Sequence, residues 1–151
     1  MISSKRKSSE KKSMLADIYG EAIFLMIPFL GLIFVTIFKN SSSFSSILLS
    51  LVYTTDWSIM SAVIFGQCAY KVSRVMPLLG GKVDGRRFTF YLSKRMLMVF
   101  VSLFIYAAMV FKPNFYLGVI QIALFLLSII FFFKDSLASY ILHYRYNEIE
   151  K

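Results

Sequence analysis

Four apolar stretches without a charged residue limit the fold of this chain more than any other feature. They cover residues 22–38, 57–69, 97–111 and 115–133. A hydrocarbon core of roughly 30 Å takes about 20 helical residues to cross, so the shorter stretches need flanking residues to complete a span. Within lipid, a single segment satisfies its own backbone N–H and C=O groups only as a helix. The sequence therefore predicts an all-α, polytopic membrane protein with four transmembrane helices.

The composition agrees with a membrane protein and argues against an enzyme. Hydrophobic residues make up 58% of the 151 residues, which is more than a soluble domain of this length can bury. The single cysteine, Cys68, excludes an internal disulfide, and the single histidine, His143, has no partner for zinc binding or nucleophilic catalysis. We expect no catalytic, metal-binding or cofactor-binding residues in this chain.

Basic residues alternate in number between successive connecting segments. Lys and Arg number five in the N-terminal tail, one in the first connection, seven in the second, one in the third and three in the C-terminal tail. Cytoplasmic segments of membrane proteins carry the excess of Lys and Arg. The alternation therefore predicts cytoplasmic N- and C-termini, and we expect the bacterial inner (plasma) membrane as the location.

The expected organisation is a single four-helix domain over residues 1–151. In chain order its segments are a basic cytoplasmic tail (1–15), a first span (17–38), an outer loop with a short interfacial helix (39–55), a second span (56–74), a basic cytoplasmic loop (75–85), a third span (86–111), an outer turn (112–114) and a fourth span with a cytoplasmic extension (115–146). Asp84 and Asn114 are suited to cap the third and fourth helices. The apolar run before Asp56 can also be interpreted as the start of the second span. Because an unpaired carboxylate deep in the membrane costs at least about 2.5 kcal/mol, the interfacial helix is favoured.

Small residues repeat along one face of the second span. They are Ser58, Ala62, Gly66, Ala69 and Ser73. Small side chains let helix backbones approach closely, which favours association in lipid. The face is either an internal seam of one bundle or the contact of a homo-oligomer. Trp57, just before it, is suited to an anchor at the outer membrane interface.

Polar residues inside apolar spans are costly and therefore informative. Gln67 lies near the middle of the second span, and Gln121 and Ser128 lie at depths on either side of it in the fourth. The sequence predicts a hydrogen-bonded contact between these two helices.

Two acidic residues, Asp17 and Glu21, stand one turn apart at the start of the first span. Negative charges suit a helix N-terminus, and the basic residues expected to neutralise them are Arg74, Arg95 and Lys134. The alternative is that Glu21 is a coupling carboxylate, as in the small multidrug-resistance transporters, which are also four-helix proteins. In that family the Glu sits well inside the span, whereas Glu21 precedes the apolar run.

The basic cytoplasmic loop contains Lys82, and Arg86 and Arg87 follow it at the start of the third span. One interpretation is orientation together with contact to anionic lipid headgroups. The other is a docking surface for an acidic cytosolic partner protein; we do not expect a nucleic acid. The Gly-Gly-Lys in this loop lacks the upstream Gly and the following Ser or Thr of a nucleotide-binding loop, so we do not expect it to bind phosphate.

The chain is small, and its predicted topology has cytoplasmic termini and an extended basic inner loop. Its second span opens with the stretch DWSIMSAVIFGQ, from Asp56 to Gln67. In these features the chain resembles the small four-helix membrane proteins of bacterial antiphage defence, such as the Kiwa membrane subunit and the Rex-type membrane protein of lambda-like prophages. The resemblance implies an inner-membrane sensor, scaffold or effector that oligomerises, works with a cytosolic partner and has no catalytic residues. A small proton-coupled transporter or channel is the other function that the sequence leaves open.

Overall fold

The computed structural model describes residues 2–39, 43–75 and 84–149, and they form five α-helices. The helices are α1 (Ile2–Lys39), α2 (Phe44–Tyr53), α3 (Asp56–Val75), α4 (Gly85–Phe111) and α5 (Phe115–Ile149). These described ranges contain no β-strand. The predicted all-α class is confirmed.

Three helices are long and apolar enough to cross a membrane alone. They are the part of α1 from Leu15 to Lys39, α4, and α5 as far as Leu142. The helices α2 and α3 meet this condition only together, as a pair bent by 52° at a short break. The described residues therefore contain three candidate spans, or four if the bent pair is one span, as expected for a multi-pass membrane protein.

Both predicted caps of the α4–α5 hairpin are confirmed. The Asp84 carboxylate accepts a hydrogen bond from the backbone N–H of Arg86 at 3.0 Å. Asn114 Oδ1 accepts one from the N–H of Tyr116 at 3.1 Å. Each bond satisfies one of the backbone donors that a helix start leaves without an internal partner. The two helices run antiparallel from the short connection 112–114 and contact each other.

The helix α1 begins much earlier than its apolar stretch. The segment 2–16 contains neither Gly nor Pro and is rich in residues with good helix propensity, so the helix continues through it. Asp17 and Glu21 consequently lie about four and five turns into α1. The expectation that they sit at the N-terminus of the first helix is wrong, since α1 begins at Ile2.

The helix α3 lies at the centre of the bundle, packed along both α4 and α5, whereas α1 makes its main contacts with α2 and α5. Small polar side chains fill the central seam. Ser61 and Ser102 are fully buried there, and each donates a hydrogen bond to a carbonyl of its own helix, 2.7 Å to Trp57 O and 2.9 Å to Met98 O. Because each hydroxyl bonds to its own helix, the helices pack closely here without leaving either hydroxyl unpaired.

Trp57 is part of the core. Its ring lies 4.9 Å from that of Phe29 and 5.1 Å from that of Phe125, centre to centre. Its Nε1 donates a 2.6 Å hydrogen bond to the carbonyl of Leu51. The predicted role as an interfacial anchor is wrong, because α2 bends over this side chain and covers it.

Candidate functional site

Charged side chains of four helices meet at the end of the bundle remote from the α4–α5 turn. We call this set the charged layer, and its members are Glu21 of α1, Lys71 of α3, Arg95 of α4 and Asp135 of α5. Arg95 lies 16 residues before the end of α4, and Asp135 lies 20 residues after the start of α5. These separations correspond to about 24 and 30 Å along the helices. The charged layer is therefore separated from the α4–α5 turn by a length comparable with the thickness of a hydrocarbon core, roughly 30 Å.

A buried ion pair joins α4 to α5 in this layer. Arg95 Nε donates to Asp135 Oδ2 at 2.8 Å and Arg95 Nη2 to Oδ1 at 3.0 Å, and the two side chains are 5% and 6% exposed. Two parallel bonds of this kind are the strongest way for a guanidinium to hold a carboxylate. The guanidinium carbon also lies 3.9 Å from the ring centre of Phe131 and 4.8 Å from that of Tyr91. The carboxylate and the two rings together fix the orientation of the guanidinium and its position along α4.

The hydrogen bonding of Arg95 is incomplete. Its Nε also donates to the hydroxyl of Tyr91 at 3.0 Å. Its Nη1 is buried and finds no partner among the described residues, and the same is true of the hydroxyl of Ser139, one turn beyond Asp135 on α5. A buried donor without a partner costs free energy. The site therefore retains hydrogen-bonding capacity that the described part of the chain does not use.

A second ion pair links α1 to the rest of the bundle. The ammonium of Lys71 contacts the carboxylate of Glu21, donates to Ser136 Oγ at 2.7 Å and lies 4.0 Å from the ring centre of Phe132. The side chain of Glu21 is 56% exposed, whereas that of Lys71 is 17% exposed. This pair is accordingly more open to its surroundings than the Arg95–Asp135 pair.

The partner of Glu21 differs from the three that the sequence suggested. Those were Arg74, Arg95 and Lys134. Lys71 takes this role because it faces α1 and α5, whereas Arg95 is held by Asp135. The predicted assignment is thus wrong for Glu21, and Asp17, one turn earlier, is exposed.

Three members of the small-residue face of α3 are buried within one chain. Ser58, Ala62 and Ala69 have 0%, 7% and 5% of their surface exposed. Gly66 and Ser73 are partly exposed, and a Cβ added at Gly66 would meet no atom within 4 Å. The internal seam accounts for the buried members, so they provide no argument for a homo-oligomer.

The polar contact between α3 and α5 forms through Ser58 and Gln121. Ser58 Oγ donates to Gln121 Oε1 at 2.9 Å, and both side chains are fully buried. Gln67 is exposed, and its predicted part in this contact is wrong. It stands nine residues after Ser58, which is about two and a half helical turns and therefore the opposite face of α3. Ser128 is buried but donates to Phe125 O of its own helix.

Gln121 also donates hydrogen bonds to backbone carbonyls at the break between α2 and α3. Its Nε2 donates to the carbonyl of Val52 at 3.1 Å and to that of Thr54. The last carbonyls of a helix have no partner within it, so other parts of the protein must supply donors where these carbonyls are buried. Gly118, one turn earlier on α5, lets α2 approach, because a Cβ there would overlap the backbone of Val52.

The predicted docking residues Arg86 and Arg87 lie exposed in the first turn of α4. Arg87 Nε is 3.6 Å from the carboxylate of Asp84, in a pair with both side chains largely exposed. Lys82 lies outside the described residues. Arg86 precedes the buried Arg95 by nine residues on the same helix, about 14 Å along its axis.

The part of the chain that the structure describes holds no group of three or more His, Cys, Asp or Glu placed to bind a metal ion. Comparison with known protein families, curated proteins and solved structures gives no match. The chain is therefore assigned to no family.

Proposed function

We propose that this protein is a non-enzymatic inner-membrane component of a bacterial antiphage defence system, with both termini in the cytoplasm, that binds an acidic cytosolic partner protein at the start of α4. The observation that carries the proposal is the layout of α4. This one helix presents Arg86 and Arg87 at its exposed end and places Arg95 in the buried ion pair.

The exposed end of α4 has the chemistry for an acidic partner. Two adjacent guanidinium groups offer planar sets of donors that match carboxylates. The helix N-terminus adds a partial positive charge at the same place. Such a basic surface accelerates encounter with an acidic protein and disfavours basic ones.

The buried end of α4 gives docking a consequence inside the membrane. The helix α4 is continuous from its first turn to Arg95. A partner that shifts the first turn therefore moves Arg95 relative to Asp135. Buried ion pairs tolerate small displacements poorly, because their attraction must offset a large desolvation cost. Partner binding is in this way linked to the packing of α4 against α5. The binding of the partner would be transmitted through the membrane domain as a change in helix packing.

The transporter alternative has weaker support. A proton-coupled transporter needs a carboxylate that gains and loses a proton during its cycle. Both carboxylates of the charged layer, Glu21 and Asp135, contact a basic side chain. These contacts join α1 to α3 and α4 to α5, so they support a structural role.

Charge reversal at the exposed end of α4 tests the proposal. The Arg86→Glu/Arg87→Glu variant should lose phage protection and lose photocrosslinking to its cytosolic partner. Like charges facing each other cost several kcal/mol, roughly a hundredfold or more in affinity. The measurements are the efficiency of phage plating and the yield of crosslinked complex in cells.

Two variants serve as matched controls for this experiment. Arg86→Lys/Arg87→Lys keeps the charge and should keep most protection. Lys94→Glu/Lys134→Glu makes the same charge change at other exposed positions and should leave protection intact.

Glu21→Gln tests the transporter alternative and should have little effect on protection. Normal protection in the Arg86/Arg87 reversal, with a transport phenotype lost in Glu21→Gln, would replace the defence proposal by the transporter.

The proposed orientation predicts which cysteines react in intact cells. In a Cys68→Ala background, cysteines at Ser43 and Asn114 should react with a membrane-impermeant thiol reagent, because their connections carry few basic residues. Cysteines at Ser9 and Thr89 should react only after the cells are permeabilised. Mass-shift labelling measures this, and reaction at Ser9 in intact cells would show the opposite orientation.

A further inference from the structure

A cleft of about 580 Å³ separates α1 from the bent α2–α3 pair, at the end of the bundle remote from the charged layer. Its size falls within the range of roughly 300 to 1,000 Å³ that small-molecule sites occupy. Pro28 of α1 and Ile59 and Met60 of α3 contribute apolar walls. The mouth, in contrast, carries charge.

The charges at the mouth are opposite and separate. Lys39 ends α1, and Asp56 begins α3. The Asp56 side chain is exposed, and its Oδ2 accepts a 2.8 Å hydrogen bond from Thr54 Oγ1. Among the described residues, no basic group lies within ion-pair distance of Asp56. The mouth therefore offers one cationic and one anionic side chain to a single ligand.

The cleft matches one leaflet of a bilayer in length. Pro28 lies 11 residues before Lys39, about 16 Å along α1. Half of a hydrocarbon core is about 15 Å thick. A ligand with its polar part at Lys39 would thus place an apolar tail along the cleft as far as the middle of the membrane.

We propose that the cleft binds one phospholipid with a primary amine in its headgroup. The ammonium donates to the Asp56 carboxylate, the phosphate lies against the Lys39 ammonium, and one acyl chain occupies the space between α1 and α3. A zwitterionic headgroup satisfies both side chains, whereas an anionic one leaves Asp56 unpaired. This site is separate from the proposed partner surface on α4 and does not depend on it.

Lipid retention by the full chain tests this site. The protein is reconstituted in vesicles with equal parts of phosphatidylethanolamine, phosphatidylcholine and phosphatidylglycerol, released in mild detergent and weighed by native mass spectrometry. We expect one retained phosphatidylethanolamine to predominate. Asp56→Asn should reduce its excess over phosphatidylcholine about tenfold, the change expected for one lost charge-assisted contact.

A matched pair of glycine substitutions on α1 distinguishes the cleft from general lipid contact. Gly31 lines the cleft and Gly20 does not, and a Cβ at either position would meet no atom within 4 Å. Gly31→Trp should abolish the retained lipid, and Gly20→Trp should keep it. Equal retention by the two variants would overturn the site. Preference for phosphatidylglycerol, or an unchanged lipid ratio in Asp56→Asn, would overturn the headgroup assignment.

Discussion

Replacing Asp135 with Ala is expected to lower the free energy of unfolding by about 3 to 5 kcal/mol, because it leaves the Arg95 guanidinium buried without its counterion. Arg95 is 5% exposed, so water does not replace the lost carboxylate. The single tryptophan of the chain, Trp57, is buried in the core and reports unfolding by its fluorescence. The measurement is the midpoint of unfolding by sodium dodecyl sulfate in mixed micelles.

A surface pair on the same helix provides the comparison. Arg87 and Asp84 are largely exposed and 3.6 Å apart, so Arg87→Ala should cost under about 1 kcal/mol. Replacing both buried partners, by Arg95→Met and Asp135→Leu, should restore most of the stability lost in Asp135→Ala, because no buried charge remains unpaired. An Asp135→Ala protein as stable as Arg87→Ala would contradict the buried pair.

The helices and their caps follow from local sequence. Apolar length predicts the spans because lipid leaves the backbone few alternatives to a helix. Asp84 and Asn114 cap because each needs only a backbone N–H two residues ahead. Such features depend on neighbours in the chain, so they can be predicted without knowledge of the packing.

The long-range pairs depend on helix rotation and register, which the sequence specifies only weakly. Arg95 lies 18 residues before Pro113 and Asp135 lies 22 after it. In an antiparallel hairpin these positions differ in depth by about 6 Å, a distance that an Arg side chain spans. The hairpin therefore contained a signal for this pair, and counting residues from the turn would have revealed it.

The choice between the two glutamines could not be predicted from depth. Gln67 and Gln121 both lie in apolar spans, but only Gln121 faces the break between α2 and α3. Which residue is needed depends on where α2 bends, and that bend is stabilised by tertiary contacts at Gly118. The burial of Trp57 could not be predicted for the same reason, since it is α2 that covers this side chain.

Removing the amide of Gln121 is expected to detach α2. The Gln121→Leu variant leaves the carbonyls of Val52 and Thr54 and the hydroxyl of Ser58 without their partner. Since each unsatisfied buried group costs about 1 to 3 kcal/mol, we expect these three groups together to lower the stability by at least about 3 kcal/mol. The emission of Trp57 should also shift to longer wavelength, because its cover by α2 is lost.

Residues of α3 and α5 provide matched controls for the Gln121 substitution. Gln67→Leu removes an exposed amide and should leave both stability and Trp57 emission unchanged. Gly118→Val should resemble Gln121→Leu, because the new side chain overlaps Val52, whereas Gly66→Val enters open space and should be tolerated. If Gln121→Leu and Gln67→Leu lose equal stability, or if Trp57 emission is unmoved in both Gln121→Leu and Gly118→Val, then α5 does not hold the bend.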